Sequence, residues 1–241
     1  MKTAIIDGRI SKSCRASLEC EGFRIIELAP FPALPAAICS HTDILFFAGE
    51  DEIIISEEYR KAYPEIIEEI KDALGDIKIS YSKERYGSEY PFDAIFNALV
   101  IGGRIFLRED SISRSVAEYA RRRGLKIIPV RQGYPACTVL PLSDRCAITA
   151  DRGMARALRE NGIEVTLISD SEKIQLPPHS YGFIGGACGI YGGCVYFLGN
   201  LEAHPDAQII KGAIAEAGLR YKSLDGEADA LFDLGGIRFY E

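Results

Sequence analysis

One short phrase recurs five times in this chain: the end of a helix-like run, a glycine, then alternating apolar residues. It reads Glu21-Gly22-Phe23-Arg24-Ile25-Ile26, Leu74-Gly75-Asp76-Ile77-Lys78-Ile79 and Arg123-Gly124-Leu125-Lys126-Ile127-Ile128. It returns as Asn161-Gly162-Ile163-Glu164-Val165-Thr166 and Ala217-Gly218-Leu219-Arg220-Tyr221-Lys222. The glycines stand 53, 49, 38 and 56 residues apart, and passing from Gly218 through the C-terminus to Gly22 adds 45. A period of about 40 to 50 residues marks a fold assembled from like units.

Each glycine sits where a left-handed cap ends a helix and releases the chain into a strand. Ahead of each helix lie two β-like runs joined by a turn. In the first unit 43–48 and 53–56 flank Gly49-Glu50-Asp51, and in the second 94–101 and 104–108 flank Gly102-Gly103. In the third 137–142 and 146–149 flank Ser143-Asp144, and in the fourth 183–190 and 194–198 flank Gly192-Gly193. Gly-Gly and Ser-Asp between apolar runs are hairpin signals. Helices are predicted near 57–74, 111–123, 152–161 and 205–217, with Ser111 and Asp151 as N-caps and Pro205 at a first helical position. The fifth unit is split. Residues 230–240 supply strand at the C-terminus, and 3–10, a helix near 13–20 and 23–28 supply the rest at the N-terminus. The predicted fold is α/β: five ββαβ units closed in a ring as a propeller, the fifth shared by the two termini, in a single domain over 1–241. Longer connections fall near 81–92 and 169–181.

Composition narrows the partners. At 47% hydrophobic and 26% charged residues the chain reads as a water-soluble globular protein. No apolar run approaches the roughly 20 residues that span a bilayer. The N-terminal residues lack the apolar core of a secretion signal, so a cytoplasmic protein without a membrane partner is expected. A net charge of −7 argues against a nucleic-acid partner. The one dense basic run, Arg121-Arg122-Arg123, falls at a predicted helix end, where cations complement the dipole. Seven cysteines, with no C-x-x-C pair, are expected to be reduced. Neither they nor the three histidines show ligand spacing, so no metal and no cofactor is expected.

The segments Gln132-Gly133-Tyr134-Pro135-Ala136-Cys137, Ile148-Thr149-Ala150-Asp151-Arg152-Gly153 and Tyr181-Gly182-Phe183-Ile184-Gly185-Gly186-Ala187-Cys188-Gly189 carry a family resemblance. Phe197-Leu198-Gly199-Asn200 and His204-Pro205-Asp206 extend it. With the five-unit pattern, the chain resembles the pentein fold of the guanidino-group-modifying enzymes, and more closely a bacterial domain family of unknown function with that fold. The superfamily holds arginine deiminases, dimethylarginine hydrolases and amidinotransferases, and also a non-catalytic translation factor, so the fold does not fix the activity. The resemblance implies a Cys nucleophile, a His and acidic residues facing a central channel. The family's Cys follows a Gly-Gly segment in the last unit. Here that segment is Gly235-Gly236-Ile237-Arg238-Phe239, without a Cys.

In such a ring the first hairpin strand of each unit lines the centre. Counting back about six positions from each turn gives Asp43, Asn97, Cys137, Gly186 and Asp229, each open to a slip of one residue, which would reverse its face. Asp233 is a further carboxylate of the last segment. Gly186 is expected to leave open space, with Cys188 two residues on and on the same face. Carboxylates hold a cationic amidine or guanidinium by charge-assisted hydrogen bonds, which assigns substrate binding to Asp43, Asn97, Asp229 and Asp233. A thiol is a nucleophile as thiolate, which makes Cys137, with Cys188 second, the candidate for attack on the central carbon. His41 and His179 are the acid–base candidates, and His41 would share a strand face with Asp43.

Ordinary packing competes with each assignment, because free cysteines are among the most buried residues. Cys14, Cys20, Cys39, Cys146 and Cys194 are read as structural, and His204 as a helix-start residue. A redox pair of Cys188 and Cys194 would require them to meet across the Gly192-Gly193 turn. The function expected is thiol-dependent hydrolysis or transfer at a C–N bond of a small guanidino, amidine or amide compound. The alternative is a non-catalytic binding protein, because the C-terminal consensus Cys is missing.

Overall fold

The computed structural model describes residues 2–241. Five three-stranded sheets of one design follow each other. In each, an antiparallel hairpin is joined by a third strand, parallel to the second, after a helical crossover. The first has Phe46–Ala48, Glu52–Ser56 and Lys78–Ser82. The second has Leu99–Ile101, Arg104–Leu107 and Lys126–Pro129. The third has Val139–Pro141, Cys146–Thr149 and Glu164–Leu167. The fourth has Cys188–Tyr191, Cys194–Phe197 and Arg220–Ser223. The fifth is built from both ends of the chain: Arg238–Tyr240 runs antiparallel to Thr3–Asp7, which runs parallel to Arg24–Leu28. A two-stranded parallel ladder, Ile174–Gln175 with Leu231–Phe232, stands outside this scheme. Among the described residues each sheet stays separate, with no ladder to the next and no closed sheet.

The repeated glycines do what their position requires. Gly22, Gly75, Gly124, Gly162 and Gly218 have φ between 56° and 84°, the left-handed region a side chain would resist. The middle strand of each unit lies between a helix and the interior. Thr3–Asp7 and Glu52–Ser56 are buried throughout, which is why these strands read as continuous apolar runs. Tyr59, Ile67, Ile70 and Leu74 of the first crossover pack on Ile53 and Ile55 of its sheet.

Helix boundaries shift locally. The 57–74 run divides into Glu57–Ala62 and Pro64–Leu74, because the residue before a proline is pushed out of the helical region. Ser113, not Ser111, caps Arg114–Arg122, and Ala207–Glu216 begins two residues past Pro205. Asp151 caps Arg152–Glu160, its Oδ1 accepting from Met154 N at 2.7 Å. Asp151→Ala should cost about 1 kcal/mol of stability in urea unfolding. The basic run at the helix end is neutralised across units: Arg122 pairs with Glu52 at 2.5 Å and Arg123 with Asp51 at 3.2 Å. No helix among the described residues is long and apolar enough to cross a membrane.

One difference from expectation recurs in four units. The first strands start late, and the residues before them form a turn of helix or irregular chain. Thr42–Leu45 and Pro135–Thr138 are α-helical and Gly185–Ala187 is 3-10, each directly followed by its strand. In the second unit, irregular chain with a turn at 95–96 occupies 94–98 before Leu99–Ile101. A short buried apolar run does not distinguish a strand from a buried helical turn by periodicity.

Candidate functional site

Those late-starting segments carry the site. Cys137 Sγ donates to Asp43 Oδ2 at 2.6 Å. Asn97 bridges the two, its Nδ2 donating to Cys137 Sγ at 3.4 Å and to the Asp43 carbonyl at 3.3 Å, while its Oδ1 accepts from Ala136 N at 2.8 Å. The fourth unit contributes closeness. A Cβ on Gly185 would stand 2.4 Å from the carbonyl oxygens of Ala136 and Val139, and one on Gly186 would stand 1.9 Å from Asp233 Oδ1. Gly186 therefore leaves no open space; the Asp233 carboxylate fills it.

The fifth unit enters through Asp233, whose carboxylate accepts from Phe183 N at 2.8 Å and Gly235 N at 3.2 Å. Asp229 lies apart: its side chain is exposed, and its carbonyl accepts from Lys173 Nζ at 2.9 Å. The register count failed there because Gly235 and Gly236 are not a hairpin turn. They lead into Arg238–Tyr240, with φ of 72° and 78°, and Gly235 passes so close under His41 that a Cβ would meet the His41 Cβ at 2.5 Å. Thr42 Oγ1 ties this segment to the first unit by donating to the Gly235 carbonyl at 2.6 Å.

His41 is fully buried, with Nδ1 3.9 Å from Asp233 Oδ1 and no hydrogen-bond partner for either ring nitrogen. It precedes a helical turn, so it shares the cluster with Asp43 but not a strand face. A rigid frame holds it. Asp7 pairs with Arg9 at 2.6 Å and accepts from Ser40 Oγ at 2.7 Å, and Arg9 donates to the carbonyls of Ala36 and Ala37.

Burial sets the protonation states. It pushes the Asp43 carboxyl up to about 6, against the opposing charge of Arg238. It pushes Asp233 up to about 7, with the Asp43 charge adding to the effect. It lowers His41 to about 3, and raises the Cys137 thiol well above its ordinary value with the charges of Asp43 and Asp233 adding. At neutral pH the site thus holds a neutral imidazole and a protonated thiol. The donor atoms of His41, Cys137 and Asp233 lie within 4.8 Å of one another, an N, S and O set that suits an ion of the zinc type. Sequence spacing gave no sign of this set, because its three members come from three different units.

A pocket of about 380 Å³ opens onto this floor. Cys137, His41, Asp93 and Asp233 line it together with Tyr90, Tyr134, Tyr181 and Phe183. The rings form a connected wall, Tyr90 to Tyr134 at 5.3 Å, Tyr134 to Phe183 at 6.5 Å and Phe183 to Tyr181 at 6.1 Å. Tyr134 OH donates to Asp93 Oδ2 at 2.8 Å. His179 is exposed and reaches only the rim. The aromatic residues and Asp93 were not among the sequence candidates. The usable signal was the two long connections near 81–92 and 169–181, which supply Tyr90 and Tyr181, since loops on a rigid scaffold commonly carry binding residues.

Cys188 belongs elsewhere. Its thiol donates to the Ile184 carbonyl at 3.2 Å and borders a second cavity of about 320 Å³. In the fourth hairpin Cys188 faces Phe197 and Cys194 faces Tyr191, so the redox pair does not form and all seven cysteines are free.

The architecture is shared with solved structures. A dimethylarginine dimethylaminohydrolase adduct with S-methyl-L-thiocitrulline is 14% identical, with 99% of each chain covered and a TM-score of 0.60. The enzyme of the same name from Pseudomonas aeruginosa, complexed with citrulline, is 12% identical, with 95% of each chain covered and a TM-score of 0.57. SxtG, an amidinotransferase from Microseira wollei in the saxitoxin biosynthetic pathway, is 13% identical over 96% of this chain and 93% of its own, at a TM-score of 0.54. The fold is that of the penteins, the guanidino-group-modifying enzymes. Over residues 5–238 the sequence matches the family described as "Family of unknown function (DUF6873)", and the chain belongs to that family. No curated protein matches the sequence significantly.

Proposed function

We propose that the chain binds a small guanidino or amidino compound in the aromatic-walled pocket and that Cys137 acts on its carbon–nitrogen centre by hydrolysis or group transfer. The observation that carries this reading is the Cys137 thiol at the pocket floor, 2.6 Å from Asp43 and grouped with His41 and Asp233. Aromatic faces attract a planar cation, and buried carboxylates pair with its N–H groups. The functions named for the solved structures of this fold agree in class. The same reading takes the five units as blades of a closed ring, supported by one cavity lined by the first strand of every unit.

The chemistry follows from the protonation states. Two carboxylates keep the thiol protonated while the pocket is empty. A bound cation offsets their field and lowers the cost of thiolate, with Asp43 placed to accept the proton. Sulfur then bonds to the amidino carbon, and the carbon–nitrogen bond breaks as the departing nitrogen takes the proton that Asp43 removed from sulfur, with the neutral His41 imidazole nearby as a relay. Water or an acceptor amine next displaces sulfur and regenerates the thiol.

Cys137→Ser should lower turnover of any accepted guanidino or amidino substrate by about 10³-fold or more while preserving binding, in a screen that reads ammonia or amine release beside calorimetry. A second reading, a non-catalytic binder, is favoured by the buried thiol and by the Cys-free Gly235-Gly236-Ile237-Arg238-Phe239 segment. Saturable binding without turnover would select it, and absence of both would contradict the two readings together.

A further inference from the structure

The charges around the aromatic-walled pocket are of one sign. Two carboxylates line it, Asp93 and Asp233, and no lysine or arginine does. Among the described residues neither carboxylate pairs with a lysine or arginine. Asp93 accepts from Tyr134 OH, and Asp233 from the N–H groups of Phe183 and Gly235. The two histidines of the lining are His41, buried with a neutral ring, and His179, exposed at the rim. Two arginines come near the wall, and every guanidinium nitrogen of both is engaged elsewhere. Arg9 donates to Asp7 and to the carbonyls of Ala36 and Ala37. Arg108 stacks on Tyr90 at 5.3 Å while donating to Asp110, the Tyr90 hydroxyl and the Arg131 carbonyl. Arg238 borders the second cavity and not this pocket. Beside the rings the lining is aliphatic, with Pro35, Ala37, Ile38 and Leu176.

At about 380 Å³ the pocket has room for a whole molecule of arginine's size. A carboxylate on such a molecule would leave water with no cation to meet it and would enter the field of two carboxylates. A hydrocarbon or aromatic tail would meet surface of its own kind. We propose that this pocket selects against acids: it takes guanidines and amidines with a carboxylate-free tail and excludes guanidino acids, free arginine included. This inference deepens the function proposed above and rests on it.

The test is calorimetric titration of the full chain, at matched ionic strength, with butylguanidine, 4-guanidinobutanamide and 4-guanidinobutanoate, three guanidines of about one length. The amide separates charge from size and polarity. Agmatine against arginine is a second pair, differing by a carboxylate alone. Saturable binding of butylguanidine and agmatine is expected. The acid should bind at least about tenfold more weakly than the amide, and arginine at least about tenfold more weakly than agmatine. Ser180 is exposed on the lining, so Ser180→Arg adds a cation there without touching the core. It should narrow the gap between acid and amide to about threefold or less. A gap below about tenfold in either wild-type pair, or a gap that Ser180→Arg leaves unchanged, would overturn the selectivity while the guanidino reading stands. Failure of all five compounds to bind would overturn both.

Discussion

Asp233→Asn should gain stability relative to the wild-type chain as pH rises from about 4 to about 8, by about 3 to 4 kcal/mol. The sign follows from where the proton sits. The Asp233 carboxyl is raised from 3.8 to about 7, first by burial and then by the Asp43 charge. Between those values the folded wild-type chain keeps a proton that the unfolded chain has released, so its stability falls through the window and is lowest above about 7. Asparagine has no proton to lose, so its cost or benefit to the hydrogen bonds from Phe183 and Gly235 is constant with pH. The His41 imidazole, lowered to about 3, contributes with the opposite sign, but it is common to both chains and largely cancels. Urea unfolding at the two ends of the window measures the change. A difference between variant and wild type that does not move with pH would contradict a buried, raised carboxyl at 233.

Gly186→Ala should destabilise the fold by about 3 kcal/mol or more, with no other change of chemistry. The added Cβ would stand 1.9 Å from Asp233 Oδ1 and 2.6 Å from its Cγ. Asp233 cannot step aside cheaply, because it is buried and tethered by two backbone N–H groups. Relief would require the fourth-unit turn or the 233–236 segment to move, and the latter is bound through Thr42 to the first unit. Loss of less than about 1 kcal/mol in urea unfolding would mean that this approach is looser than the geometry requires.

The architecture was legible because it rests on local signals repeated five times. A left-handed glycine after each helix and a turn in each internal hairpin specify ββαβ units, and the shared fifth unit follows from what each terminus lacks. Asp43, Asn97 and Cys137 were legible for the same reason, since they occupy like places in three units. Asp229 was misassigned because the fifth hairpin has no turn to count from: its two strands are the chain's own ends. The face argument for His41 failed because the chain there is a helical turn, which an apolar run does not announce. The aromatic wall and the Asp7–Arg9–Ser40 frame come from connections without periodicity, so only their length hinted at a role.

A cation in the aromatic-walled pocket should switch Cys137 from a protonated thiol to a thiolate. The direct measurement is the ultraviolet thiolate absorbance of the wild-type chain minus that of Cys137→Ser, near neutral pH, with and without saturating agmatine. No thiolate signal from Cys137 is expected in the free protein, and a clear one with the cation bound. A thiolate already present without the cation, or a thiol that stays protonated while calorimetry shows the cation bound, would contradict it.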